Sequence, residues 1–147
     1  MIIREFCPKD LRKVYEIEKM SFPNPYDIKM LKHLFDIGAG FLVAQVNEYI
    51  VGYIIFWIKE EDQGHIVSLA VDNNFRRQNI GSKLLGAAVN IFKKFDMQRI
   101  NLEVKTQNKE AIDFYRSFGF FCDEKILNYY ENGDSAFRMS FICSDEF

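Results

Sequence analysis

Cysteine is scarce in this 147-residue chain, and long apolar runs and charge of one sign are missing with it. The three cysteines, Cys7, Cys122 and Cys143, are odd in number and show no C-x-x-C spacing. That argues against a disulfide framework and a zinc site, and leaves buried reduced thiols. The longest apolar run, Tyr49 to Ile58, falls short of the ~20 residues a membrane helix needs. The start, Met1-Ile2-Ile3-Arg4-Glu5, lacks the long apolar stretch and small residues of a secretory leader. With 19 basic and 21 acidic residues in mixed order, the net charge is -2. No basic face is therefore expected for nucleic acid or an anionic membrane, and any cationic site must be local. The expectation is a cytoplasmic enzyme or binding protein.

What the chain does have is an aromatic-rich interior: 48% of its residues are hydrophobic, with 15 Phe and 7 Tyr. That suffices for one domain over 1–147 and hardly for two. Ile2 to Phe6 reads as a strand, followed by a helix carrying Leu11, Val14 and Ile17 with Asp10 as its N-cap. Pro23 and Pro25 end that helix. Ile28, Leu31, Leu34 and Phe35 mark a second helix, closed by Gly38 and Gly40. Phe41–Val46, Tyr49–Ile58 and His65–Val71 read as an antiparallel meander. Ile80 to Phe92 recurs at helical spacing and predicts the longest helix. Arg99 to Lys105 alternates, with Ile100, Leu102 and Val104 on one side and Asn101, Glu103 and Lys105 on the other. Asn108 caps a last helix that Gly119 ends, and Phe120–Tyr130 and Ser135–Ile142 are the final strands. The order β-α-α-β-β-β-α-β-α-β-β predicts a mixed α/β sheet in which the strands flanking the long helix are parallel neighbours.

Between the strand ending near Val71 and the helix beginning near Ile80 lie Arg76-Arg77-Gln78-Asn79-Ile80-Gly81-Ser82. A helix N-terminus presents free N–H groups and the positive end of the helix dipole, and two arginines add bidentate donors, so the segment suits a phosphate. Read alone, it is equally a solvated turn with an Asn-rich cap.

Arg76 to Gly81 resembles the signature R-x-x-G-x-G/A of the GNAT N-acetyltransferases, with Asn79 where the family usually has glycine. Asn tolerates positive φ better than other non-glycine residues. Asn108 to Phe120 is similar to the family's N-x-x-A-x-x-F/L-Y-x-x-x-G-F block. Gly64 to Val71, Leu102-Glu103-Val104, Asn128-Tyr129-Tyr130 and Gly133 to Ala136 resemble protein N-terminal acetyltransferases of the RimI, ribosomal-protein-alanine type, including archaeal relatives. Ser21-Phe22-Pro23-Asn24-Pro25 is similar to the RimI branch in particular.

The resemblance implies the GNAT acyl-CoA N-acyltransferase fold, acetyl-CoA as co-substrate and no metal. Leu69, Ala70, Val71, Arg76 to Ser82, Asn108 and Tyr115 would contact the coenzyme, with strand amides around Leu69 and Val71 polarising the acetyl carbonyl. Glu103 is the implied general base; by itself it also reads as a surface carboxylate paired with Lys105 or Arg99. His65, with an ordinary imidazole pKa of ~6.5, would relay the proton through a water shared with Glu103, or be structural. Tyr115 would protonate the departing thiolate, or be a core aromatic, or both. Phe22, Pro23 and Tyr26 would form one wall for a protein or peptide N-terminus and Tyr129-Tyr130 the other, or be loop packing. Ser135 replaces the usual acid of the closing motif. Direct transfer in a ternary complex follows, in a monomer or weak homodimer. Acetylation of lysine or a small amine, and a non-catalytic acyl-CoA-binding module, remain the alternatives.

Overall fold

The computed structural model describes residues 1–60 and 62–143. Among these, seven strands and four α-helices follow in the expected order: β1 (Ile2–Glu5), α1 (Leu11–Ser21), α2 (Ile28–Asp36), β2 (Gly40–Val46), β3 (Tyr49–Glu60), β4 (Gln63–Val71), α3 (Ile80–Lys94), β5 (Arg99–Lys105), α4 (Lys109–Phe118), β6 (Phe121–Ile126) and β7 (Ala136–Ile142). The strands form a mixed sheet in the order β1-β2-β3-β4-β5-β7-β6. β4 and β5, joined through α3, are parallel as expected, with Gln63, Gly64 and His65 opposite Arg99, Ile100 and Asn101. β7 pairs antiparallel with both β5 and β6. No described helix is long and apolar enough to cross a membrane.

The chain divides into two compact units, Met1–Trp57 with Ile66–Ile91, and Ile58–His65 with Phe92–Phe147. In the first, α1 buries Val14 and Ile17 and α2 buries Leu31 and Leu34 in one cluster with Phe6, Phe41 and Tyr53. The Phe6 ring stacks on Phe41 at 4.0 Å and meets Phe35 edge-on at 5.1 Å. α1 stops at Ser21 because Pro23 forces the residue before it out of the helical region, and Phe22 is extended at φ -130°. Asp27 starts α2 by accepting the Met30 N–H at 2.8 Å.

Two local expectations for this unit are corrected. Asp10 precedes α1, but its side chain accepts no helix amide; it forms a two-pronged pair with Arg4 at 2.8 and 3.0 Å and accepts the Cys7 N–H. Burial alone would raise its pKa, yet the Arg4 and Cys7 hydrogen bonds outweigh that and hold it below the ordinary value. Gly38, at φ +90°, follows α2, whereas Gly40 already opens β2.

In the second unit β5 is an interior strand, paired on both sides, with Ile100, Leu102 and Val104 buried. Tyr115 of α4 packs edge-on against Phe120 at 5.6 Å, and Phe120 in turn contacts Phe141 at 5.3 Å. Asn108 caps α4 through the Ala111 N–H at 3.1 Å, and Gly119 ends it at φ +124°. The strand expected over Phe120–Tyr130 is shorter, since β6 ends at Ile126. Asn128 (φ +54°) and Gly133 (φ +91°) turn the chain instead, closed by the Tyr130 N–H to the Asp134 carbonyl at 3.0 Å. Left-handed residues cannot extend a ladder, so Tyr129 and Tyr130 sit in the turn.

Candidate active site

In the first unit, β4 delivers the chain directly into the expected phosphate loop. Leu69 and Val71 are partly buried and Ala70 is buried. The Asp72 N–H bonds the Val51 carbonyl at 2.8 Å, and its carboxylate accepts the Asn74 N–H and pairs with Lys13 at 3.3 Å. Arg77 and Asn79 both adopt left-handed conformations, at φ +65° and +62°, with Gln78 between them outside that region. Alternation of this kind makes successive N–H groups converge, as in anion-binding nests. Ile80 is buried at 3% exposure and fixes the helix start, while Arg76, Arg77, Gln78, Asn79 and Ser82 are exposed. The Asn79 carbonyl accepts the Lys83 N–H and closes the first turn. Helix geometry gives the Ile80, Gly81 and Ser82 amides no acceptor within the helix, and Gly81 adds no side chain. Left-handed backbone, free first-turn amides and two exposed guanidinium groups fit a pyrophosphate.

Phe22, Pro23 and Tyr26 lie on the loop between α1 and α2 of the same unit. Phe22 packs partly into the core, whereas Pro23 and Tyr26 are exposed. Sequence reasoning missed what ties this loop down: buried Glu18 accepts the Tyr26 N–H at 3.1 Å. An acidic residue on an amphipathic helix reads as surface, although Glu18 falls seven positions after Leu11 and four after Val14, on the apolar face of α1, and that spacing was the available signal.

In the second unit, parallel pairing brings together two residues 38 positions apart. His65 Nε2 and Glu103 Oε1 are 2.8 Å apart. The expected shared water is corrected, because this direct contact leaves no room for one between them. Glu103 is paired with neither Lys105 nor Arg99: Lys105 meets Asp134 at 3.4 Å and Arg99 meets Asp123 at 3.8 Å. Its second oxygen accepts from Arg138 Nε at 3.3 Å, and Arg138 Nη1 reaches Glu124 at 3.2 Å. Arg138 stands opposite Glu103 in the β5–β7 register. The sequence signal for Arg138 is only its alternation with Phe137 and Met139, which does not reveal its partner. Burial pushes the Glu103 pKa up, but hydrogen bonding and charge from His65, the Arg138 hydrogen bond and the charge of Lys59 hold it below the ordinary value of 4.5. Arg138 also lines a polar cavity of about 430 Å³ with Asn101, Ser140 and Asp123.

Tyr115 is buried at 9% exposure, and burial pushes its pKa well above the ordinary tyrosine value, so the phenol stays protonated. Tyr129 and Tyr130 pack edge to face at 4.9 Å, and Lys105 lies over the Tyr130 ring at 5.1 Å. The Ser135 hydroxyl accepts the Asn128 N–H at 3.4 Å, which anchors the turn where the family usually has an acid. The three cysteines are free thiols. Among the described residues no group of three or more His, Cys, Asp or Glu could hold a metal ion.

The sequence pattern of the Acetyltransferase (GNAT) family matches residues 11–120. An N-alpha-acetyltransferase of Sulfurisphaera tokodaii is 32% identical over 94% of this chain and 90% of its own length. The crystal structure of Ard1 from Thermoplasma volcanium is 34% identical and superposes with a TM-score of 0.92, covering 96% of each chain. Naa50 of Arabidopsis thaliana, solved with the bisubstrate analogue CoA-Ac-MVNAL, is 30% identical with a TM-score of 0.82, covering 95% of this chain and 96% of that one. With a fold of this order and a loop suited to pyrophosphate, the chain belongs to the GNAT acetyltransferase family, whose members use acetyl-CoA, and is an N-acetyltransferase that resembles the protein N-alpha-acetyltransferases.

Proposed function

We propose that this enzyme acetylates the α-amino group of protein or peptide N-termini, ribosomal proteins among the candidates, in the cytoplasm, and that both units serve one reaction as a single catalytic domain over 1–147. The observation that carries this reading is the direct His65–Glu103 pair, held from its far side by Arg138. With ordinary pKa values of ~7.7–8.0 for an α-amine and ~10.4 for lysine, roughly a third of the former and about one in a thousand of the latter is free amine near pH 7.5. A mild proton acceptor is enough for the α-amine. Glu103 is too acidic to be that acceptor alone, so the proton goes to the pair as a unit, and the Glu103 anion stabilises the imidazolium that forms.

Acetyl-CoA supplies the acetyl group as an activated thioester. Arg76 to Ser82 hold its pyrophosphate, and the amides around Leu69 and Val71 polarise the carbonyl. Asn108, besides capping α4, touches the coenzyme. Tyr115, kept neutral by burial, is the proton donor for the leaving thiolate. Phe22, Pro23 and Tyr26 of the first unit, and Tyr129 and Tyr130 of the second, receive the first residues of the acceptor. The enzyme works as a monomer or weak homodimer, by direct attack without a covalent intermediate. The relatives named N-alpha-acetyltransferase, and the peptide portion of the analogue bound to Naa50, support this acceptor class.

The test is thiol release from acetyl-CoA with peptides that differ in their first residue, against an N-terminally blocked peptide containing lysine. Release with free N-termini and not with the blocked peptide is expected. Equal release from the blocked peptide would instead establish lysine acetylation.

A further inference from the structure

The chemistry proposed above makes no use of one buried carboxylate in the first unit. Glu18, on α1, is only 2% exposed. Its Oε1 accepts hydrogen bonds from the Tyr53 hydroxyl and from Ser68 Oγ, the latter at 2.9 Å, and the two hydroxyls are 3.2 Å apart. Its Oε2 accepts the Tyr26 N–H at 3.1 Å. The hydroxyls come from β3 and β4, and the amide from the loop between α1 and α2.

A carboxylate is costly to bury unless directed donors replace its water, and here three do so. The donors are divided by oxygen. One oxygen holds the sheet at Ser68, immediately before Leu69; the other holds the loop at Tyr26. Burial first, and then the charge and hydrogen bond of Glu18, keep the Tyr53 phenol protonated and therefore a donor. Pro23 and Pro25 fix φ within the loop but do not attach it to anything, since proline has no N–H. Phe22 packs one end of the loop against the core, and the Tyr26 amide ties the other end to Glu18.

We propose that Glu18 is a positioning residue that docks the acceptor loop onto the strand presenting the acetyl carbonyl, and so sets the affinity for the acceptor peptide. This rests on the reading of Phe22, Pro23 and Tyr26 as an acceptor wall. A loop already fixed loses little freedom when a peptide binds, so undocking it acts on acceptor KM. Acetyl-CoA affinity, held by Arg76 to Ser82, is left in place.

Two variants separate the bridge from its charge. In Glu18→Gln the side-chain oxygen can turn to the Tyr26 N–H while its NH₂ donates to the two hydroxyls, which accept as well as donate. Glu18→Leu loses all three bonds. Removing the bonds to this carboxylate in Glu18→Leu should raise acceptor KM by about tenfold or more with acetyl-CoA Kd within about twofold, and Glu18→Gln should stay within about threefold of wild type. Amide hydrogen exchange at Tyr26 should quicken in Glu18→Leu and not in Glu18→Gln. Should Glu18→Leu fail to fold, Tyr53→Phe decides, with an expected rise of about threefold in acceptor KM at unchanged acetyl-CoA Kd and faster Tyr26 exchange. Unchanged acceptor KM, a parallel loss of acetyl-CoA affinity, or unchanged Tyr26 exchange overturns the positioning role. A wild-type enzyme silent on every free N-terminus contradicts the acceptor assignment instead, and Tyr26 exchange still decides whether Glu18 docks the loop.

Discussion

Asn79 occupies a left-handed position at φ +62° where the family pattern has glycine, and Arg77 does the same at φ +65°. Left-handed backbone costs an ordinary L-residue about 1–2 kcal/mol, and asparagine less, because its short side chain bonds locally. If this geometry holds the pyrophosphate, Asn79→Gly should tighten acetyl-CoA binding by up to about fivefold and Asn79→Ala should weaken it by a similar factor. Calorimetric titration of the two variants checks this; indistinguishable Gly and Ala variants would show that positive φ at residue 79 does not matter to binding. The strain at Asn79 was legible from the signature, and that at Arg77 was not, since nothing in an Arg-Arg pair marks a left-handed turn. Glu103 was legible through strand alternation. The partners of Arg138 and Glu18 were not, because one depends on the register of β7 against β5 and the other on a loop amide eight residues downstream.

β4 is the element on which most of the candidate site depends. It carries His65 at one end and Leu69 to Val71 at the other, and its burial alternates strictly between Gly64 and Ala70. Gly64 is required by packing, for a methyl group there would lie 2.5 Å from the ring of Phe92, which is itself 2% exposed and cannot retreat. Overpacking of this kind costs typically about 1–3 kcal/mol, so Gly64→Ala should lower stability by that amount in urea titration, and Phe92→Leu added to it should restore part of the loss. Failure of the second change to recover anything would place the defect elsewhere than the Phe92 contact. The strands and helices themselves were readable because each has its own period and its own breaker: Pro23 after α1, Gly38 after α2, Gly119 after α4. The reading of Phe120 to Tyr130 as one strand failed because Tyr129 and Tyr130 carry β-favouring side chains into what Asn128 and Gly133 make a turn.

At the scale of the whole molecule, the loop proposed for the coenzyme belongs to the first compact unit and the His65–Glu103 pair proposed to accept the proton to the second. The succession of seven strands and four helices and the parallel β4–β5 step were predictable from the sequence, whereas the placing of β7 between β5 and β6 was not. The division into two units was not, because a count of residues and a hydrophobic fraction say nothing of where contacts thin out within a chain. Because the proposed pyrophosphate loop and the proposed proton acceptors fall in different units, coenzyme affinity and turnover can be tested separately. The decisive measurement is kcat with a free-N-terminal peptide, alongside acetyl-CoA Kd, for the double variant His65→Gln/Glu103→Gln. Loss of general-base function predicts a fall in kcat of about 100-fold or more with acetyl-CoA Kd within about twofold of wild type. An unchanged kcat in a variant that still binds acetyl-CoA would contradict the account.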